Sequence, residues 1–214
     1  MTDPGRPGRV DGDPPVDDPV TPDPDASYER AAAAPYAGVR ERAVVSAQLG
    51  RPARGRSAVV HRCAYGLPTA IRVDPLLPDG TPFPTMYWQT CPALRSQIGR
   101  LEADQEMVGL NERLDTDSDF QAEYGAAMER YREARNAQTD DDVLPGNPYA
   151  GGNPKYVKCL HVHAGHHLAT GDNVIGAWTV EAARPVPCSG PCVSDDDVEA
   201  WTDELRKAGL ADED

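Results

Sequence analysis

Residues 153–171 read NPKYVKCLHVHAGHHLATG. Four of the five histidines fall in this stretch, together with Cys159. Asn153-Pro154 is a helix-opening pair and Thr170-Gly171 is a stop, so the stretch predicts a helix over 154–170. Each helical residue turns the chain by about 100°. Measured from Cys159, His163 then lies at about +40°, His166 at about −20° and His167 at about +80°, with His161 at about 200°. Val157, Leu160, Ala164 and Leu168 form the core stripe, and His161 falls in or beside it. Cys159 and His166 project together, although about 10.5 Å apart along the axis. His163 sits between them. Alternatively Cys159 and His163 are the pair, or the helix starts after Cys159 and leaves the thiol on the entering loop. Spacing does not choose among these.

Working outward, the remaining cysteines and the fifth histidine occupy three places: His61-x-Cys63, Cys91, and Cys188-x-x-x-Cys192. The N-terminal stretch MTDPGRPGRVDGDPPVDDPV has no apolar h-region, so a cytoplasmic location is expected, where disulfides are rare. Thiolate and imidazole then read as metal ligands, and a structural zinc takes four of them. Cys63 at a strand end, Cys91 before a helix, Cys159 and one histidine of the run supply that number. Zinc is expected ahead of an iron–sulfur cluster. The alternative for each thiol is a small buried hydrophobe. Cys91 at a helix N-terminus also fits a nucleophile with a histidine as base. Cys188 and Cys192 add ligands, form a reversible disulfide, or do neither. The chain holds no P-loop, GxGxxG, HExxH or GxSxG.

The flanking sequence predicts the fold class. A helix runs from near Pro35 to Leu49 and stops at Gly50. Ser57–Cys63 and Thr69–Val73 are β-branched strands around Gly66-Leu67-Pro68, a candidate hairpin. Residues 74–85 carry four prolines, which exclude a helix, and Met86–Thr90 is briefly extended. Pro92 opens a helix with Leu94, Ile98 and Leu101 on one face, broken near Gln105 and resumed through Met107, Leu110 and Leu114. Ser118 caps another helix, with Phe120, Tyr124, Ala127, Met128 and Tyr131 inward. Ala177–Glu181 reads as a strand. The class is α+β, with several helices packed around a small hairpin or sheet.

The ends differ from the body. Of the 214 residues, 1–30 carry a net charge of −5 and 195–214 a net of −7, out of −14 in all. Seven prolines between Pro4 and Pro24 make 1–30 a disordered acidic tail. Residues 31–182 form one domain, and 183–214 are an acidic tail with a short helix on Val198, Trp201 and Leu205. Either tail suits a protein partner. The body has no basic stripe, so nucleic-acid binding is not expected. No run of apolar residues is long enough for membrane insertion.

A set of motifs adds a resemblance. Gln48-Leu49-Gly50-Arg51, Arg62-Cys63, Gly66-Leu67-Pro68, the block Asp79–Trp88 (DGTPFPTMYW), Thr90-Cys91-Pro92, Lys158-Cys159-Leu160-His161 and His166-x-Leu168-Ala169 are all present. Together they resemble an actinobacterial family catalogued as domain of unknown function number 501, over roughly residues 36–178. The resemblance brings no activity. It implies that Cys63, Cys159, His161 and His166 are the residues to follow, and that the Cys91 position accepts Cys or His, as a metal ligand would. His163, His167, Cys188 and Cys192 lie outside the motifs. Gene neighbourhood in the family implies a link to septum formation, cell division or envelope growth.

The candidate metal ligands are therefore Cys63, Cys91, Cys159, His166 and His161. The expected function is a cytosolic Cys/His metal protein, with zinc in a structural or partner-binding role. One alternative is a metal-dependent hydrolase with an open site. The other is a thiol-redox or iron–sulfur protein. Ligand count separates the first two, because four protein ligands close a site and three leave it open.

Overall fold

The computed structural model describes residues 23–139 and 144–211. Its helices are α1 (Pro24–Ala33), α2 (Val39–Leu49), α3 (Pro92–Ala103), α4 (Glu106–Thr116), α5 (Ser118–Asn136), α6 (Leu160–Thr170), α7 (Val174–Ala182) and α8 (Asp195–Lys207). Strands β1 (Ser57–Arg62), β2 (Pro68–Val73) and β3 (Tyr87–Gln89) form an antiparallel sheet in the order β1-β2-β3. Strands β4 (Gly152–Asn153) and β5 (Tyr156–Val157) form a separate small hairpin. The α+β class expected from the sequence is what the chain adopts. No helix among the described residues is long and apolar enough to cross a membrane.

Local chemistry sets most of these bounds. Helix α2 ends on Gly50 at φ 68°, a left-handed conformation that glycine adopts without a Cβ penalty. The expected hairpin forms: the Gly66 amide donates to the Cys63 carbonyl at 2.9 Å, and Val59 pairs with Ile71. Every residue of β2 is buried, as suits a central strand, and Ile71 pairs with Trp88 on its other side. The break between α3 and α4 falls at Gln105, whose φ is 64°. Helix α8 opens with a capping box between Ser194 and Asp197 and packs Val198 and Leu205 toward Ala43 of α2.

Three expectations are corrected. Of the tail read as disordered over 1–30, residues 1–22 lie outside the described residues, but from Pro24 onward the chain is helix α1. Asp23 caps it, and Tyr28 is buried to 8% exposure, which gives the segment an apolar anchor that composition alone concealed. The helix expected from 154 begins only at Leu160. Gly151 at φ 75° and Gly152 at φ 155° turn the chain into the β4–β5 hairpin instead. Ala177–Glu181, read as a strand, is the end of α7, because Asn173 caps that helix through a bond from the Gly176 amide.

Helix α6 is the centre of the packing. It lies across β3 at Gly165, where an added Cβ would come 3.0 Å from the Tyr87 carbonyl oxygen and 3.1 Å from the Gln89 nitrogen. On another side α7 approaches at Gly176, where an added Cβ would sit 2.0 Å from the His163 carbonyl oxygen. Backbone atoms cannot swing aside as a side-chain tip can, so these are fixed contacts. Gly109, on the open side of α4, has nothing within 4 Å. Gly176→Ala is expected to destabilise the fold by about 3 kcal/mol or more, and Gly109→Ala to stabilise it by about 0.5–1 kcal/mol. Urea midpoints of the two variants check this, and a wild-type midpoint for Gly176→Ala would disprove the close contact.

Candidate metal centre

Helices α3 and α6 bring three ligand types together. Glu102 is the next-to-last residue of α3, Cys159 is the N-cap of α6, and His161 is in the first turn of α6. The carboxylate oxygen, thiol sulfur and imidazole nitrogen lie within 4.8 Å of one another. All three residues are half-buried. Among the described residues this is the group so placed.

Each side chain is held by backbone. Cys159 does not bond its own helix amides, and the Leu160 amide donates instead to Glu102 Oε1 at 2.7 Å. Glu102 thereby caps α6 from a different helix and brings negative charge to its positive end. His161 donates from Nε2 to the Arg95 carbonyl at 3.2 Å, which turns Nδ1 toward Glu102 Oε1, also at 3.2 Å. The hydrogen bond with Cys159 and the Glu102 charge hold the imidazole pKa up at about 9, against the opposing effect of burial. The Cys159 and Lys158 amides both donate to the Gly151 carbonyl, so the Gly151–Gly152 turn fixes where the thiol enters. Cys159 thus lies on the entering side of the helix, as one of the sequence alternatives had it.

The other expected ligands lie elsewhere. Cys63 and Cys91 line a separate cavity of about 390 Å³, together with Cys188, Cys192 and His61. Burial pushes the Cys91 thiol up despite the Leu94 and Ala93 amides, opposite to the shift a nucleophile at a helix N-terminus needs. His166 is buried at 1% exposure, inside a polar network. The structure therefore joins Cys159 with His161 and separates both from Cys63, Cys91 and His166.

That network is made of neutral imidazoles. Asn173 Nδ2 donates to His166 Nδ1 at 2.9 Å and to His163 Nδ1 at 3.3 Å. The remaining ring protons then sit on Nε2. His163 donates to the Gly151 carbonyl at 3.1 Å, and His166 meets the Tyr28 hydroxyl at 2.5 Å. The Tyr28 hydroxyl donates to Asp172 at 3.1 Å, and Arg130 grips the Asp172 carboxylate with two bonds of 2.7 and 2.6 Å. Desolvation lowers the His163 pKa to about 4 and, with neighbouring positive groups, holds His166 well below its usual value.

Glu102, Tyr28, Arg130 and Asp172 went unnoticed in the sequence. A glutamate near the end of an amphipathic helix is ordinary, and only the packing of α3 on α6 gives Glu102 its partners. Asp172, next to the Gly171 stop and five residues after the histidine run, had the one usable signal, an acid close to imidazoles.

The family described as Protein of unknown function (DUF501) matches residues 59–181, more than half of the chain. No curated protein and no solved structure matches.

The histidine network gives a pH dependence. A base whose pKa is lowered in the fold binds fewer protons folded than unfolded below about pH 6.5, so stability falls as pH falls. For His163 the loss reaches on the order of 3 kcal/mol near pH 4. Unfolding free energies measured between pH 7 and pH 4 should show this decline, and His163→Gln should make it shallower, with the His166 contribution remaining. A flat profile in the wild type would show that the imidazoles are not buried neutral.

Proposed function

The chain belongs to the DUF501 family, and we propose that it works as a metal-dependent hydrolase whose ion, zinc, is held by Glu102, Cys159 and His161. The observation that carries this is the convergence of those three ligand atoms within 4.8 Å of one another, two of their residues, Cys159 and His161, also lining a cavity. The donor set fits: one carboxylate, one thiolate and one imidazole are ordinary zinc ligands, and three protein ligands leave a position open. A bound zinc supplies Lewis acidity to whatever occupies that position. The residues around it orient the ligands. The Leu160 amide holds one carboxylate oxygen, and the Arg95 carbonyl takes the Nε2 proton, so that Nδ1, on the Glu102 side, would be the nitrogen to hold the metal. The closed, four-ligand structural zinc is the weaker reading, because Cys63, Cys91 and His166 are placed away from this group.

A second reading rests on one observation. Cys159 is hydrogen-bonded to His161 at the N-terminus of an eleven-residue helix, an arrangement that also suits a thiolate nucleophile with Glu102 orienting the imidazole.

Metal content separates the two. Anaerobically purified protein should hold zinc in equimolar amount and show no visible absorption band. Cys159→Ser and His161→Ala should each weaken zinc by more than about a hundredfold, beyond the loss expected of an outer-shell partner. Cys63→Ser and Cys91→Ser should retain it. Wild-type protein that takes up no zinc would remove the metal reading. Alkylation of Cys159 by iodoacetamide at neutral pH, faster than of Cys63, would then support the thiol.

A further inference from the structure

Four of the five thiols of the chain line one cavity of about 390 Å³, to which Glu102, Cys159 and His161 do not contribute. Cys63 and Cys91 are half-buried in it, and Cys188 and Cys192 are exposed at its mouth. Leu67, Leu94, Leu168 and Val180 make much of the remaining wall apolar. Cys188 and Cys192 belong to the segment 183–194 that joins α7 to α8. Val186 packs on the core around α3 and α6, and Val193 on the core around α2. The segment is thus pinned on both sides of the two thiols, and the chain bends at Ser189 and Gly190 between them.

The surroundings of these sulfurs suit an ion. The buried Gln48 of α2 donates from Nε2 to the Pro68 carbonyl at 2.9 Å and to Cys192 Sγ at 3.6 Å. A donor aimed at sulfur favours the thiolate, which is the form that binds metal. The Cys91 thiol lies near enough to Cys192 and Cys188 for their charges to act on it. Arg184 lines the same cavity, and its contact with Glu181 is long, at 3.6 Å, between two exposed side chains, so it adds positive charge there. No three of these sulfurs lie within 4.8 Å of one another, whereas a structural zinc gathers four ligands around one point. The cavity is therefore not a second zinc centre.

We propose that this cavity is a copper(I) site, with the ion held between Cys188 and Cys192 at the mouth and the Cys91 thiol on its inner side. Soft thiolates select this soft monovalent ion, and it is satisfied by as few as two of them, so the spread of the four sulfurs is no obstacle. Binding breaks two S–H bonds, forms two S–Cu bonds and releases two protons to solvent. The copper stays monovalent, so neither oxidant nor reductant is consumed. The resulting complex of two thiolates and one monovalent cation is an anion, which the Arg184 guanidinium offsets. The apolar wall behind it limits access of water to the ion. The inference does not rest on the zinc reading, since it uses none of the zinc ligands.

The test is anaerobic competition for copper(I) between the fully reduced full chain and bicinchoninate, followed by the colour of the bicinchoninate complex. The wild type should withdraw copper from the chelator. The double variant Cys188→Ser/Cys192→Ser should bind it more weakly by over about a hundredfold, beyond the loss expected of an outer-shell partner. Its zinc affinity and circular dichroism spectrum should match the wild type, and Cys159→Ser should withdraw copper as the wild type does. Copper left with bicinchoninate by the reduced wild type, or withdrawn equally by the double variant, would overturn the proposal. Copper lost in Cys159→Ser but kept in the double variant would move the ion to the other centre and overturn this site as well. Failure of the zinc reading would show separately, as a wild type that takes up copper(I) but no zinc.

Discussion

Everything near the candidate site depends on how closely backbone can approach helix α6. Gly165 lets strand β3 lie against it, and Gly176 lets α7 press on the His163 carbonyl. In both contacts the nearest atom of the facing element is a backbone oxygen. The first contact brings Trp88 and Gln89 to the face of α6 that carries His161. The second fixes the other face, where His163 and His166 point into the interior. A helix held by backbone on two sides has little freedom to rotate, so the direction of each of its side chains is set by the fold.

That orientation divides the histidine run by role. His161 looks out past Cys159 toward α3, in partial contact with solvent, and its pKa is pushed up. His163 and His166 look inward, and theirs are pushed down. Residues two or five apart in sequence thus have opposite electrostatic surroundings. The inner pair is bound up with folding, through Asn173, Tyr28 and the Arg130–Asp172 pair. The outer histidine is the one that the proposed function gives to a metal. The same helix carries an inward polar network and the candidate metal ligand, kept apart by about half a turn.

Much of this was legible in the sequence, and the reasons for the remainder are specific. The periodicity of Leu94, Ile98 and Leu101, the prolines of 74–85, the Gly50 stop and the break near Gln105 are local signals, and local geometry obeys them. The start of α6 was misplaced because Asn153-Pro154 reads as a helix opening, whereas Gly151 and Gly152 act through positive φ values that composition does not reveal. Cys159 and His161 stood out as ligand types. Their partner Glu102 did not, since its role comes from the meeting of two helices far apart in the chain. Cys63 and Cys91 were grouped with them on residue type, yet the sheet carries those two thiols to a different cavity. Helix α1 was hidden for the same kind of reason: the proline-rich acidic sequence before it masks an Ala-rich segment, and one buried tyrosine ring gives that segment its anchor.

The tyrosines give the interior an optical identity. Tyr28, Tyr87, Tyr124 and Tyr131 are buried, and desolvation first of all pushes their pKa values up, that of Tyr131 to about 12. Tyr36, Tyr65 and Tyr156 stand in water. Phenolate formation by the four buried rings on raising the pH therefore depends on their exposure to water. The buried ones turn to phenolate only as the core opens around them, which makes the intact chain its own chromophore for global unfolding.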